Sequence, residues 1–431
     1  MSKEENRKNF SKYVSQNILG MIGFSCYVLA DSYFISIAKG ADGLTALNLV
    51  MPLYSIIFSI GEMIGVGSAI RYAISKIKKD ADADDYFWNA LIWCIMSSML
   101  FVFAGIFFSA DIMRVLGADE HIVAVGNNYT KIFMCFAPMF MCNYVTNAFV
   151  RNDGAPGIAM SATLFSSLFN IVFDYILMFP MNLGMEGAAL ATALSPIIGM
   201  GICSIHFFSK KSSVRLVVCK PSVRKLVAGC QLGISAFVGE MSSAVITLVF
   251  NFVILKLAGN VGVAAYGVVA NIAIVTTAVF NGVAQGSQPL ISSCFGRGDK
   301  DGCTQLKRMG YTTAFVLAAV MYSILFIFAG QFVAVFNSEG SEMLRLYATE
   351  GVKLYFIGIF FAGINIVGGG AFSATEDAFK AAVVSVARGF VLILGAVFVM
   401  SALFGMTGVW LAYAVAEGIT TFIMLVMAMR V

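Results

Sequence analysis

Gly184-Met185-Glu186-Gly187-Ala188-Ala189-Leu190-Ala191 returns in the second half of the chain as Gly405-Met406-Thr407-Gly408-Val409-Trp410-Leu411-Ala412, an offset of 221 (405 − 184). A second pair of stretches keeps nearly the same register. Gly43-Leu44-Thr45-Ala46-Leu47 precedes Gly65-Val66-Gly67-Ser68, and Gly262-Val263-Ala264-Ala265-Tyr266 precedes Gln285-Gly286-Ser287, an offset of 219 (262 − 43). Two registers this close indicate a chain of two similar halves, where chance likeness of Gly-rich turns would not keep step. The halves divide as an N-terminal lobe, 1–209, and a C-terminal lobe, 226–431, with a basic connector, 210–225, between them.

The composition says what the halves are made of. Of the 431 residues, 59% are hydrophobic and 12% charged, against a charged fraction of about 25% in soluble domains. A helical crossing of the hydrocarbon core needs roughly 20 apolar residues. Apolar runs of that order start near Tyr13, Leu44, Tyr86, His121, Pro156, Met185, Lys225, Val261, Gly310, Leu344, Phe379 and Met406. The expectation is an all-α membrane protein of about twelve transmembrane helices in two pseudo-symmetric six-helix bundles. Six is even, so both halves enter the membrane with one orientation, a parallel repeat of the kind found in secondary transporters.

Lys and Arg placement gives the orientation. One set of loops carries Lys3, Arg7, Lys8 and Lys12, then Lys76, Lys78 and Lys79, then Arg151. The same set continues with Lys210, Lys211, Arg215, Lys220, Arg224 and Lys225, with Arg297, Lys300, Lys307 and Arg308, and with Lys380 and Arg430. The alternate loops hold little beyond Lys39, Arg114 and Arg345. By the positive-inside rule the first set, and with it both termini, is cytoplasmic, and the membrane is the plasma (inner) membrane. The charged segment 1–12 is followed by a long apolar run, which is not the pattern of a cleavable signal.

Ionisable groups inside spans are costly and usually face a cavity or a partner. The first helix carries Asp31, the fifth Asn170 and Asp174 at i, i+4 spacing, which puts amide and carboxylate on one face, and the sixth Thr192. At the repeat-equivalent positions of Asp31 and Asp174 the second half has Phe250 and Gly395, so the acidic pair belongs to the first half. These oxygens suit a hard cation such as Na⁺, and the carboxylates suit a proton. Alternatively, Asp31 and Asp174 only hydrogen-bond neighbouring helices. Glu62, Glu240, Gln285, Gln288 and Arg388 are candidate substrate-cavity residues or packing residues, and Glu417 could add negative character.

Scattered cysteines without a Cys-x-x-Cys pair, and two histidines, argue against disulfide frameworks, zinc and haem. No phosphate loop, hydrolytic triad or metalloprotease motif is present, so neither catalysis nor ATP-driven pumping is expected, and no cofactor beyond a coupling ion.

The chain resembles the multidrug and toxic compound extrusion (MATE) family. The resemblance rests on Asp31-Ser-Tyr-Phe-Ile, Leu44-Thr-Ala-Leu-Asn-Leu-Val-Met-Pro52, Arg151-Asn-Asp-Gly, Asn170-Ile-Val-Phe-Asp174, Gly187-Ala-Ala-Leu-Ala-Thr192, Gly286-Ser-Gln-Pro-Leu290 and Gly408-Val-Trp-Leu-Ala412. It covers essentially the whole chain. It implies export of lipophilic, often cationic, small molecules against Na⁺ or H⁺ by alternating access. It also implies a cation site at the positions matching Asp31, Asn170, Asp174 and Thr192. One departure is Gln16, where family members often carry a proline; Gly20 and Gly23 lie nearby. The expected partners are a small-molecule substrate and the lipid bilayer, with no nucleic acid, and the chain is expected to be a monomer. The alternatives are a lipid-linked saccharide flippase of the same superfamily and a non-transporting membrane receptor.

Overall fold

A computed structural model describes residues 3–336 and 341–429 of the chain; Arg430, counted above among the basic residues, lies outside them. Every regular element among the described residues is helical. Lipid offers no hydrogen-bond partners, so an apolar chain that crosses it must satisfy its backbone within each helix.

The helices are α1 (Lys3–Lys78), α2 (Asp85–Val115), α3 (Glu120–Cys135), α4 (Ala137–Asn152), α5 (Pro156–Met178), α6 (Gly184–Phe207) and α7 (Val223–Gly296). They continue as α8 (Lys300–Ile327), α9 (Ala329–Phe336), α10 (Glu342–Tyr355), α11 (Ile359–Ala374), α12 (Ala378–Val386) and α13 (Leu392–Met429). Three of these contain a sharp break at one glycine. Gly40 in α1 has φ 57° and ψ −141°, Gly259 in α7 φ 61° and ψ −157°, and Gly405 in α13 φ 58° and ψ −135°. This conformation is essentially restricted to glycine, so the chain reverses without a loop. Gly40 and Gly259 are related by the repeat offset of 219 (259 − 40). Gly405 is related by the offset of 221 (405 − 184) to Gly184, which enters α6 at φ 52°. The sequence registers are thus registers of backbone geometry.

Nine helical segments are long and apolar enough to cross a membrane, one of them the 74-residue α7. Helices α3 and α4, bent by 46° at Phe136, act as one further span. Pro138 explains the bend, because proline removes an N–H and disfavours helical geometry in the residue before it. Dividing α7 at Gly259 and the stretch Ala378–Ala428 at Gly405 brings the total among the described residues to twelve.

The chain packs as two compact units. One is Ser15–Phe237 with Ser292–Asp299; the other is Met1–Val14, Val238–Ile291 and Lys300–Val431. In the first unit α5 packs along α6, and α2 along α3 and α4. Glycines set the closest approaches. A Cβ at Gly61 would lie 2.9 Å from the Met141 Cα, and one at Gly65 2.9 Å from the Tyr144 carbonyl carbon. Gly61-x-x-x-Gly65 is therefore a helix-packing face on α4. In the second unit α8, α12 and α13 pack on α11, and α10 on α13.

Candidate functional site

Three helices of the first unit bring polar groups into its interior. Asp31 on α1, Asn170 and Asp174 on α5, and Thr192 on α6 are all buried. The close contact of α5 with α6 seats the Asn170 amide between its neighbours. Its nitrogen donates to Asp174 Oδ2 at 3.1 Å, and its oxygen accepts from the Thr192 hydroxyl at 3.1 Å and the Thr192 backbone N–H at 3.3 Å. Pro196, one turn on in α6, has no N–H to offer the Thr192 carbonyl, and Ser195 Oγ donates to that carbonyl instead, at 3.0 Å. The proline thus loosens the helix where it faces the carboxylates.

One oxygen of each carboxylate is left over. Asp31 Oδ1 and Asp174 Oδ1 are buried and have no hydrogen-bond partner among the described residues. A bare buried carboxylate oxygen is costly unless something neutralises it. The arrangement therefore matches a donor set that accepts a cation or a proton: two anionic oxygens supported by an amide and a hydroxyl.

Sequence reading misses a further pair of groups here. Tyr54 on α1 and Tyr129 on α3 are buried, their hydroxyls hydrogen-bond one another, and both lie within electrostatic reach of Asp31 and Asp174. Tyr54 also stacks on Phe133 at a centroid distance of 3.6 Å. The available signal is a tyrosine inside an apolar run, since a buried hydroxyl must find a partner. Nothing in the linear order pairs residue 54 with 129.

The remaining candidates make other contacts. Glu62 is half-buried in the same unit, and its charge acts on the buried Arg151 guanidinium. Glu240 and Gln285 are half-buried in the other unit. Gln288 is buried against Gly370, where a Cβ would meet its Nε2 at 3.1 Å. Arg388 pairs with Glu417: Nη2 donates to Oε1 at 2.6 Å and Nε at 3.0 Å. Asn365 Nδ2 donates to Glu417 Oε2 at 2.7 Å, and Thr421 Oγ1 to Asn365 Oδ1 at 3.0 Å. Beside the pair, Tyr355 and Tyr413 stack at 4.3 Å. Where the first half has Asp31, the second has Phe250, stacked on Tyr266 at 5.0 Å.

The comparisons with known proteins agree with the repeat and the fold. The MatE family model matches residues 17–176 and 236–399, so its two matches start in the same register as the repeat. The multidrug export protein MepA of Staphylococcus aureus (strain MRSA252) is 27% identical over 414 residues, covering 93% of this chain and 89% of that protein. MepA of Staphylococcus saprophyticus is 26% identical over 409 residues with the same coverage. Among solved structures, MATE in the straight conformation aligns with a TM-score of 0.91 at 20% identity, over 99% of this chain and 96% of that one. The outward-facing conformation of a multidrug resistance MATE family transporter aligns with a TM-score of 0.89 at 20% identity and the same coverage. With the family model spanning most of both halves, this multi-pass membrane protein belongs to the MatE family.

Proposed function

We propose that the chain is a secondary active multidrug exporter, moving lipophilic or cationic small molecules out of the cell in exchange for Na⁺ or H⁺ by alternating access. The observation that carries the proposal is the pair of partnerless carboxylate oxygens on Asp31 and Asp174, held with Asn170 and Thr192 inside one unit. Its relatives named as multidrug export proteins support the substrate class. On this reading the moving bodies are the lobes 1–209 and 226–431, both termini are cytoplasmic, and the membrane is the plasma membrane. Glu62, Glu240, Gln285, Gln288 and Arg388 serve the substrate path.

Coupling follows from differential affinity. A ligand that binds both states equally shifts nothing, however tightly it binds. A cation that neutralises Asp31 and Asp174 favours the state in which their oxygens converge, and substrate favours the other. The test is efflux of a fluorescent organic cation from proteoliposomes under separately imposed Na⁺ and pH gradients. One gradient should drive wild-type efflux, and Asp174→Asn should abolish it with expression intact. Undiminished gradient-driven efflux by the variant sinks the proposal.

A further inference from the structure

The connector is the one long non-helical stretch between spans among the described residues, and it is fastened at both ends to the unit Ser15–Phe237. At its start the buried Asp153 carboxylate accepts from His206 Nε2 at 2.8 Å, Ser212 Oγ at 3.1 Å, the Ser213 backbone N–H at 2.9 Å, and the Ser213 hydroxyl. At its end Trp88 Nε1 donates to the Cys219 carbonyl at 2.9 Å, and the Ser222 N–H donates to Asn89 Oδ1 at 2.6 Å. Lys225 closes the fastening with ion pairs to Asp82 at 2.9 Å and Asp85 at 2.5 Å. Val214 is tucked inward at 7% exposure. The strap is therefore held in one place.

What it holds outward is unusual for a polar linker. Lys210, Lys211, Arg215 and Lys220 are all exposed. Unlike Lys225, none of these four has a carboxylate at ion-pair distance among the described residues. Interleaved with them are Phe208 at 90% exposure, Leu216 at 60%, Val218 at 72% and Val223 at 60%. Large apolar side chains held out to water for no purpose are disfavoured, and contiguous ones mark an interaction surface.

Span length gives the depth. Helix α6, Gly184–Phe207, has 24 residues. At 1.5 Å per residue it runs about 36 Å, against a hydrocarbon core of about 30 Å. Phe208 therefore leaves the helix at the headgroup boundary, and the four cations follow it along the strap. Apolar side chains entering the acyl boundary beside cations at headgroup level are the chemistry of an anionic lipid surface.

We propose that the connector strap, 208–224, is a docking site for anionic phospholipid of the leaflet it faces. Lys210, Lys211, Arg215 and Lys220 contact the phosphates, and Phe208, Leu216 and Val218 enter the acyl boundary. The fastenings described above all reach the unit Ser15–Phe237, so bound lipid holds that unit at a set depth.

Lipid retention by the full-length purified protein tests this without reference to transport. Native mass spectrometry in detergent, with phosphatidylglycerol and phosphatidylcholine titrated in competition, should show preferential retention of phosphatidylglycerol. The variant Lys210→Gln/Lys211→Gln/Arg215→Gln/Lys220→Gln should lower that preference roughly tenfold or more, at about fivefold per cation near an anionic surface. Leu216→Ser/Val218→Ser, with all four cations intact, should weaken retention of phosphatidylglycerol without making inorganic phosphate a better competitor. A fourfold variant with the wild-type preference overturns the proposal. So does displacement of the lipid by millimolar inorganic phosphate, which would make the strap a site for a free anion. If the fourfold variant does not accumulate, Lys210→Gln/Lys211→Gln and Arg215→Gln/Lys220→Gln are read separately, each expected to lower the preference.

Discussion

Gly67→Ala should destabilise the protein more than any comparably small change in a helix that meets no neighbour. Gly67 stands where the second span of α1 crosses the first turns of α7, backbone against backbone. A Cβ there would lie 2.6 Å from the Gly233 backbone nitrogen and overlap the Gly229 carbonyl oxygen. Relief by rotamer change is closed, because the obstructing atoms are main chain. Favourable non-bonded separations begin near 3.5 Å, so the helices must part by roughly 1.5 Å to clear the Gly229 carbonyl oxygen. Overpacking of this kind costs about 1–3 kcal/mol, and the main-chain obstruction places it toward the upper end. Gly286 occupies the repeat-equivalent position, and its Cβ would meet the Val14 Cα at 2.8 Å and the Tyr13 carbonyl oxygen at 2.9 Å. Gly286→Ala should therefore show a smaller loss of the same sign. Gly201 in α6 has open space around its Cβ, and alanine there should be neutral or gain up to about 1 kcal/mol of helix preference. Thermal unfolding of the purified variants in one detergent gives the order Gly201→Ala above Gly286→Ala above Gly67→Ala. A Gly67→Ala protein as stable as Gly201→Ala refutes the close-crossing explanation.

Removing one partner of a buried pair leaves an uncompensated charge. Arg388→Leu, which strands the Glu417 carboxylate (2% exposed), should cost about 3–5 kcal/mol, and Arg388→Leu/Glu417→Leu distinctly less; denaturant titration of both variants checks the sign of the coupling. Gly259→Ala, at φ 61° and ψ −157°, should cost about 1–3 kcal/mol of backbone strain, measurable as a lowered unfolding temperature, although its Cβ meets nothing. The Lys225 ammonium beside Asp82 holds that carboxyl below the usual carboxylate range. A depressed folded-state value means that the tether's contribution is present at neutral pH and lost as pH falls below about 4. Protection against hydrogen exchange at 219–226, taken relative to the intrinsic rate at each pH, should fall on acidification through that range in wild type, and already at neutral pH in Asp82→Asn.

The parts of the fold legible in the sequence are those set by local chemistry or by repetition. Apolar run length marks a span wherever it occurs, and breaks at Gly40 and Gly259 appear where glycine interrupts such a run. The repeat is readable because Gly67 and Gly286 must both be glycine for the same steric reason. Of the candidate site, the i, i+4 pair Asn170 and Asp174 is readable because helix geometry alone puts them together. The contacts that are not readable join residues far apart in the chain. Tyr54 meets Tyr129 across 75 residues, and Arg388 meets Glu417 across 29. Those pairings depend on which helix faces which, and charge and hydropathy along one helix do not encode that.

At Glu417 and at the Asp31–Asp174 pair the two halves meet interior charge differently, and on the proposed reading the difference bears on coupling. In the second half the Glu417 carboxylate receives the Arg388 guanidinium and the Asn365 amide, so its charge is matched within the protein. The repeat partner of Asp31 is Phe250, committed to an aromatic stack with Tyr266, and that of Asp174 is Gly395. In the first half one oxygen each of Asp31 and Asp174 is free of any hydrogen bond among the described residues, and the amide that meets Asp174 is neutral. A charge matched internally needs no ion from outside, because the protein itself supplies the counter-charge. A charge left unmatched makes the stability of its conformation depend on what arrives from outside, which is the thermodynamic requirement for coupling. The duplicated scaffold thus supplies two halves of like topology, and on the proposed antiport reading coupling is concentrated where the first half has carboxylates and the second a ring and a glycine.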